Sequence, residues 1–156
     1  MARPPDFRDR LKSPLMMLIF WPGFLLGFLN SLSFGLFEVD LLGMLAPISP
    51  VLSRACYGLV LLAGLVWLFW GLYWAFLLFS KKEAGGAAQL TQGFVLFAVL
   101  LFLAFANCIN WGLIGLFGID VLGAAFAFLP ILARVAFLFM ALGPGIFVLY
   151  ILISER

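Results

Sequence analysis

Four long apolar stretches, separated by short polar segments, dominate the chain. They cover residues 15–36, 52–79, 90–116 and 132–153. A helix that crosses a bilayer needs about 20 mostly apolar residues, so each stretch is long enough to be a membrane-spanning helix. The pattern therefore predicts an all-α integral membrane protein, a four-helix bundle. Pro22 is expected to kink the first helix, and Gly143-Pro144-Gly145 to break the fourth.

The second half of the chain repeats a pattern from the first half, shifted by 80 positions without a gap. The matching residues are Asn30 and Asn110, Gly35-Leu36-Phe37 and Gly115-Leu116-Phe117, Asp40 and Asp120, Leu42-Gly43 and Leu122-Gly123, Pro50 and Pro130, and Arg54 and Arg134. Because a fixed offset across unlike neighbours is hard to obtain from composition alone, we interpret it as an internal duplication. Each copy holds two predicted helices, which predicts two parallel helical hairpins rather than inverted repeats.

The repeat and the polar segments divide the chain into four parts. Residues 1–14 form a polar N-terminal arm, 15–80 the first transmembrane hairpin repeat, 81–89 a linker, and 90–156 the second transmembrane hairpin repeat. Basic residues concentrate in the arm, the linker and the C-terminus, whereas the opposite side carries one arginine per copy. Since positive charge in short loops favours the cytoplasmic side, we predict a cytoplasmic linker and two cytoplasmic termini. The expected location is a bacterial inner membrane.

Composition favours the bilayer as solvent and excludes several classes of function. Hydrophobic residues make up 66% of the chain and charged residues only 10%, whereas soluble domains carry roughly 25% charged residues. The net charge of +2 is too small to indicate a nucleic-acid partner. The absence of histidine from the sequence removes the commonest metal ligand and proton shuttle. No catalytic set, cofactor site or metal site is predicted, so an enzyme is not expected.

The segments that join the two helices of each hairpin are too apolar to be free loops. Residues 41–53 carry no charge at all. Because exposed irregular backbone is not tolerated in hydrocarbon, each segment is predicted to form a short interfacial helix. Asp40 and Asp120 occupy the expected N-cap positions, and Pro47 and Pro130 are expected to end these turns.

One aspartate and one arginine in each copy form the strongest candidate site. Arg54 and Arg134 open the second helix of their copies, where a cation opposes the helix macrodipole. We predict that carboxylates offset these charges in the ion pairs Asp40–Arg54 and Asp120–Arg134, each within salt-bridge or one-water reach, within a copy or across the two copies. Glu38 gives the first copy a second acid, and carbonyls at the end of the first helix would also serve. A structural pin is the favoured role, with a proton or ion relay and lipid-headgroup recognition as alternatives.

Three asparagines, Asn30, Asn107 and Asn110, are the other polar candidates inside the predicted helices. Side-chain amides in membrane helices often bond to a neighbouring helix, which contributes roughly 0.6–2 kcal/mol. We therefore predict interhelical contacts for all three, with ligand binding as the alternative. Small residues also predict close helix contacts at Gly27, Gly35, Gly58, Gly64, Gly71, Gly112, Gly115 and Gly143.

The stretch N-W-G-L-I-G-L-F-G-I-D-V-L-G-A-A-F at residues 110–126, with Arg134 after it, resembles a known family. It is similar to the short bacterial membrane proteins of the YuzA-like group, a domain of unknown function with two helices. Residues 90–153 fit that pattern, whereas Ser31-Leu32 and Glu38 depart from it in the first half. The resemblance implies paired helices and no known activity.

The chain is therefore predicted to be a non-enzymatic integral membrane protein. It would act as a structural, accessory or assembly subunit of a membrane complex, or as a homo-oligomer. Its expected partners are membrane lipids and other membrane subunits or further copies of itself. The alternative is a small channel or transporter for ions or a small solute, which broken helices and intramembrane charges would suit.

Overall fold

The computed structural model describes residues 18–19, 21–83 and 92–154, and all regular structure within them is helical. The described α-helices are α1 (Trp21–Phe37), α2 (Pro50–Glu83), α3 (Gln92–Phe117), α4 (Val121–Ala125) and α5 (Pro130–Ser154), and a short 3₁₀ helix (Gly43–Leu45) lies between α1 and α2. The predicted arm at 1–14 and residues 84–89 of the predicted linker lie outside the described residues. So do the first residues predicted for the first and third long helices.

The long helices lie where the apolar stretches predicted them, and local sequence explains the ends of α2 and α5. Ser49 Oγ accepts the N–H of Leu52 at 3.2 Å, and Pro50 takes the first helical position, so α2 starts earlier than predicted. Pro130 begins α5 in the same way. The prediction that Pro130 ends the preceding short helix is therefore wrong, since α4 stops at Ala125.

Helix α5 is continuous through Gly143-Pro144-Gly145, so the predicted break is wrong. A Cβ atom at Gly143 would lie 2.7 Å from the carbonyl oxygen of Leu100 on α3. One at Gly145 would lie 3.2 Å from the ring of Phe28 on α1. The glycines therefore allow close packing on both sides of α5 without ending it. Pro22 lies in the first turn of α1, and residues 18–19 before it are π-helical.

Contacts between the helices fix their relative directions. α1 and α3 run parallel, because Gly27 faces Asn107 and, further along both helices, Phe34 packs edge-on against Trp111. α2 and α5 run antiparallel to them. The contacts that show this are Gly23 with Ala63, Gly64 with Cys108, Gly115 with Tyr57, Gly35 with Leu138, and Gly145 with Phe28. The C-terminal ends of α1 and α3 and the starts of α2 and α5 therefore lie at one end of the molecule.

Most of the glycines predicted at helix contacts do lie against a neighbour. A Cβ atom at Gly112, for example, would lie 2.5 Å from Cβ of Leu61. Gly58 is the exception, because nothing lies within 4 Å of the position its Cβ would take. The predicted close contact at Gly58 is therefore wrong, and the surroundings of Gly71 lie outside the described side chains.

Polarity is distributed in the opposite way to that of a typical water-soluble fold. The fully buried side chains include Asn30 and Asn107, whereas large apolar side chains such as Phe69, Phe102 and Phe139 are exposed. The core itself is largely aromatic, and its main members are Phe24, Tyr57, Trp67, Trp111 and Phe137. Within the described ranges, two segments, Pro50–Phe69 and Ala98–Phe117, are by length and composition able to cross a bilayer.

Candidate functional site

Polar side chains gather at the end of the molecule where α1 and α3 finish. In the first half, Asn30 accepts a hydrogen bond from the N–H of Leu42 and donates one to Oδ1 of Asp40, both at 3.0 Å. The same Oδ1 accepts the N–H of Gly43 at 2.9 Å. Asn30 thus ties the segment that follows α1 back onto α1.

The second half makes the same contacts 80 positions later. Asn110 accepts the N–H of Leu122 at 3.2 Å and donates to Oδ1 of Asp120 at 3.3 Å. Oδ1 of Asp120 accepts the N–H of Gly123 at 2.8 Å, so Asp120 is the N-cap of α4, as predicted. Asn30 and Asn110 therefore bind the short segments after their own helices. No described hydrogen bond joins either side chain to a neighbouring long helix, in contrast to the predicted interhelical contacts.

The two aspartates differ at their second carboxylate oxygen. Oδ2 of Asp40 accepts a hydrogen bond from the hydroxyl of Tyr57 on α2. The equivalent residue of α5 is Phe137, which has no hydroxyl to donate. Within the described part of the chain, no group donates a hydrogen bond to Oδ2 of Asp120. Both carboxylate oxygens of Asp40 therefore accept hydrogen bonds from the first half of the chain, whereas Oδ2 of Asp120 is available to accept one from another group.

Arg134 binds the end of α1. Its Nε and Nη2 donate to the carbonyl oxygens of Gly35 and Leu36 at 3.3 and 3.0 Å, and its Nη1 lies 2.7 Å from Oε1 of Glu38. The last carbonyls of a helix have no helical partners, so the cation offsets the negative end of the α1 dipole. Among the described residues Arg134 makes no direct ion pair with Asp120. It binds the predicted alternatives instead, carbonyls at the end of the first helix and the acid Glu38 of the other copy, because α5 packs across the end of α1.

Arg54, the equivalent arginine of the first half, makes no ion pair among the described residues. It is exposed, and the position that corresponds to Glu38 at the end of α3 is Gly118, which offers no carboxylate. The carboxylate of Asp40 is already held by other groups, including the hydroxyl of Tyr57. Asp40 and Arg54 therefore form no direct ion pair, in contrast to the prediction of a direct pair for these residues.

Glu38 has a backbone conformation that favours glycine. Its φ is 59°, and that of Gly118, which ends α3 in the same way, is 70°. A non-glycine residue in this left-handed region costs roughly 1–2 kcal/mol. The first half therefore keeps a glutamate at a position where the backbone would favour glycine, and its carboxylate meets Arg134.

This arrangement predicts different outcomes for the two partners of the ion pair. Their side chains are 33% exposed for Arg134 and 62% exposed for Glu38, so solvent screens the pair. Glu38→Gly is expected to leave the free energy of unfolding unchanged or to raise it by up to about 1 kcal/mol, because it relieves the backbone. Arg134→Ala is expected to lower it by about 1–3 kcal/mol, because it removes the bonds to the helix carbonyls. Denaturation in one detergent would measure both, and an equal loss for the two variants would contradict this assignment.

A buried chain of polar side chains crosses the contact between α1 and α3. The indole N–H of Trp111 donates to Oγ of Ser31, and this hydroxyl donates to Oδ1 of Asn107. All three residues are almost fully buried. Asn107 thus contacts the neighbouring long helix, as the sequence predicted. Its Nδ2 is buried and has no hydrogen-bond partner among the described residues.

A groove of about 470 Å³ opens between the end of α1, the α4 segment and α5. Its charged walls are Glu38, Asp120 and Arg134, so the structure brings together two of the four predicted ion-pair residues, although not as a pair. Its apolar walls include Phe34, Phe126, Pro130 and Phe137. Pockets that bind small molecules typically have volumes of roughly 300–1,000 Å³ and few, convergent polar groups. We therefore take this groove as the candidate functional site.

Sequence reasoning missed two residues on which this geometry depends. Tyr57 could have been found by comparing the halves, because a hydroxyl stands at position 57 where the second half has Phe137. Ser31 carried a similar signal, because it stands at the position that corresponds to Trp111. The departures between the halves were therefore more informative about the site than their identities.

No described group of three or more His, Cys, Asp or Glu side chains is placed to hold a metal ion. No family model matches the chain, and neither a curated protein nor a solved structure matches it. The resemblance to the YuzA-like group therefore stays a prediction that depends on the motif at residues 110–126.

Proposed function

We propose that the chain is a non-enzymatic integral membrane protein. It acts as a structural, accessory or assembly subunit of a membrane complex, or as a homo-oligomer. The observation that carries this proposal is the distribution of polarity, with amides such as Asn30 buried and rings such as Phe139 exposed. Large exposed apolar surface is costly in water but suits hydrocarbon or a partner's transmembrane helices.

The proposed architecture is a four-helix membrane bundle made of two parallel hairpin repeats. It is supported by hydrogen bonds that recur in both halves, such as Asn30 to Asp40 and Asn110 to Asp120. Helix contacts support it too, because α1 packs against α5 as α3 packs against α2. A rotation that exchanges α1 with α3 and α2 with α5 accounts for both sets of contacts. A fused dimer of a two-helix protein would have this form.

The proposed orientation places both termini and the linker in the cytoplasm of a bacterium, with the chain in the inner membrane. A reporter fused after Arg156 should therefore be cytoplasmic, and one inserted near Ser49 should be external. The expectation follows from the basic residues of the predicted arm and linker and from the parallel directions of α1 and α3. An external reporter after Arg156 would contradict it.

Purification in a mild detergent tests the proposed role. The protein from its native membrane should retain a stoichiometric membrane partner or form a defined oligomer. Tagged and untagged copies should associate when they are produced together and not when they are mixed after solubilisation, which separates native assembly from detergent-induced association. A monomer that brings down no stoichiometric partner would contradict the proposal.

A small channel or transporter is the second candidate, and the groove that contains Asp120 and Arg134 favours it. A carboxylate with an available oxygen can bind and release an ion or a small solute. In proteoliposomes, Asp120→Asn should then lower the flux that the unchanged protein supports. Absence of flux for protons, cations and anions would exclude this candidate and leave the accessory role untouched.

A further inference from the structure

We propose that the groove between the end of α1, the α4 segment and α5 binds a small organic cation, an ammonium group that carries an apolar substituent. The proposal goes beyond the role as a membrane subunit. It requires only the folded chain, so binding and assembly can succeed or fail independently.

The charges that line the groove do not cancel. The guanidinium of Arg134 already bonds to Glu38 and to two carbonyl oxygens of α1. The carboxylate of Asp120 lines the same groove with no hydrogen bond to its Oδ2 from any described group. A cation would supply the missing partner, whereas an anion would meet two carboxylates and a guanidinium that is already engaged.

The apolar walls define the rest of the ligand. Phe34, Phe126 and Pro130 line the groove. Phe137 lies behind them, fully buried and packed against Phe34 and Trp111. Aromatic faces attract ammonium groups, because the ring quadrupole places negative charge on the face. The same walls would bury an apolar substituent next to the ammonium. An ammonium with an apolar group therefore matches both kinds of wall.

The first half of the chain serves as an internal comparison. Its aspartate, Asp40, is held on the same scaffold, but the hydroxyl of Tyr57 occupies the oxygen that Asp120 leaves available. The position that corresponds to Phe126 is Ala46, which removes one aromatic wall. The chain thus satisfies Oδ2 of Asp40 with its own Tyr57 hydroxyl and leaves Oδ2 of Asp120 without such a donor. An aspartate with a purely structural role would not require this difference between the halves.

Isothermal titration of the full chain in phosphatidylglycerol nanodiscs tests the ligand class. Phenethylammonium provides the cation, 2-phenylethanol a neutral compound of similar shape, and benzenesulfonate an anion, with empty nanodiscs as background. We expect saturable binding of phenethylammonium and an affinity for the alcohol that is weaker by about tenfold or more. No saturable binding of the cation, equal affinity for the alcohol, or preference for the anion would overturn the proposal.

Matched variants locate the binding on Asp120. Asp120→Asn should weaken phenethylammonium binding by about tenfold or more, and asparagine still caps α4. Asp40→Asn, the equivalent change in the first half, should leave the affinity within about twofold, since Asp40 lies outside the groove. Equal losses in the two variants would overturn the proposal.

A second variant keeps the test decisive if Asp120→Asn disturbs the fold. Phe126→Ala shortens one wall of the groove to the alanine that the first half carries as Ala46, and it leaves the cap hydrogen bond of Asp120 to the N–H of Gly123 in place. The affinity for phenethylammonium should fall while the protein keeps its fold. Unchanged affinity in a folded Phe126→Ala protein would contradict the proposed contact with the aromatic wall.

The ammonium has two possible sources, the headgroup of phosphatidylethanolamine or a free amine. Nanodiscs that contain increasing phosphatidylethanolamine distinguish them. Competitive displacement of phenethylammonium by this lipid would assign the site to the headgroup. Unchanged binding would assign it to free amines.

Discussion

Replacing Gly115 by alanine is expected to lower the free energy of unfolding by about 1–3 kcal/mol, because the added methyl group has no space. Its Cβ would overlap the ring of Tyr57 on α2. That ring is only 4% exposed, and its hydroxyl is bonded to Asp40. The ring cannot turn away without leaving Asp40 short of a donor, so α2 and α3 would have to separate.

Two further glycines provide matched controls for this prediction. At Gly35, the equivalent position, a Cβ would lie 2.6 Å from Cγ and Cδ2 of Leu138 and 3.3 Å from the carbonyl oxygen of Arg134. This overlap is smaller than that with the Tyr57 ring, so Gly35→Ala should cost less. Gly58→Ala should be neutral or stabilising by up to about 1 kcal/mol, because nothing lies near it and alanine favours helix. Denaturation of the three variants in one detergent measures this order. A loss at Gly58 as large as that at Gly115 would contradict the packing described here.

The helices were predictable from the sequence because their signals are local. An apolar run of sufficient length predicted each long helix, and Asp120 capped α4 where a cap was expected. For Arg134 the sequence offered several partners, including carbonyls at the end of the first helix and the acid Glu38, but no local signal chose among them. Arg134 bonds to carbonyls 98 and 99 positions away, and these come near only because α5 crosses the end of α1. The sequence near Arg134 carries no signal for that packing of α5 across α1, so it could not identify these partners.

The departure of the first half from the N-W-G pattern has a physical explanation. Ser31 and Trp111 are equivalent positions of the two halves, yet they bond directly to each other across the contact of α1 and α3. Two tryptophans could not both occupy this place in the core. The small hydroxyl of Ser31 leaves room for the indole and accepts its N–H. The two halves are therefore complementary at this contact, and the change in the first half accommodates the tryptophan of the second.

The three asparagines that the sequence placed in one class are expected to differ in their contribution to stability. Asn30 and Asn107 are both fully buried, so replacing either by alanine leaves a cavity of similar size. Asn30 binds two groups, the N–H of Leu42 and the carboxylate of Asp40. Asn107 accepts one hydrogen bond, from Ser31, and its Nδ2 has no described partner to lose. The two alanine variants thus compare the contributions of the lost hydrogen bonds to the free energy of unfolding, because the cavities they leave are of nearly equal size.

Asn30→Ala should accordingly lower the free energy of unfolding by about 1–3 kcal/mol, because it leaves the N–H of Leu42 without an acceptor and removes one of three hydrogen bonds to the Asp40 carboxylate. Because the N–H of Leu42 is buried with its residue, water cannot readily replace the lost carbonyl. Asn107→Ala should cost less, since only the hydroxyl of Ser31 loses an acceptor. Denaturation and hydrogen exchange at Leu42 measure the two effects, and exchange there should accelerate only in Asn30→Ala. Equal losses of stability in the two variants, with unchanged hydrogen exchange at the N–H of Leu42, would contradict this prediction. The volume of Asn30 in the core would then contribute more to stability than its hydrogen bonds to the segment after α1.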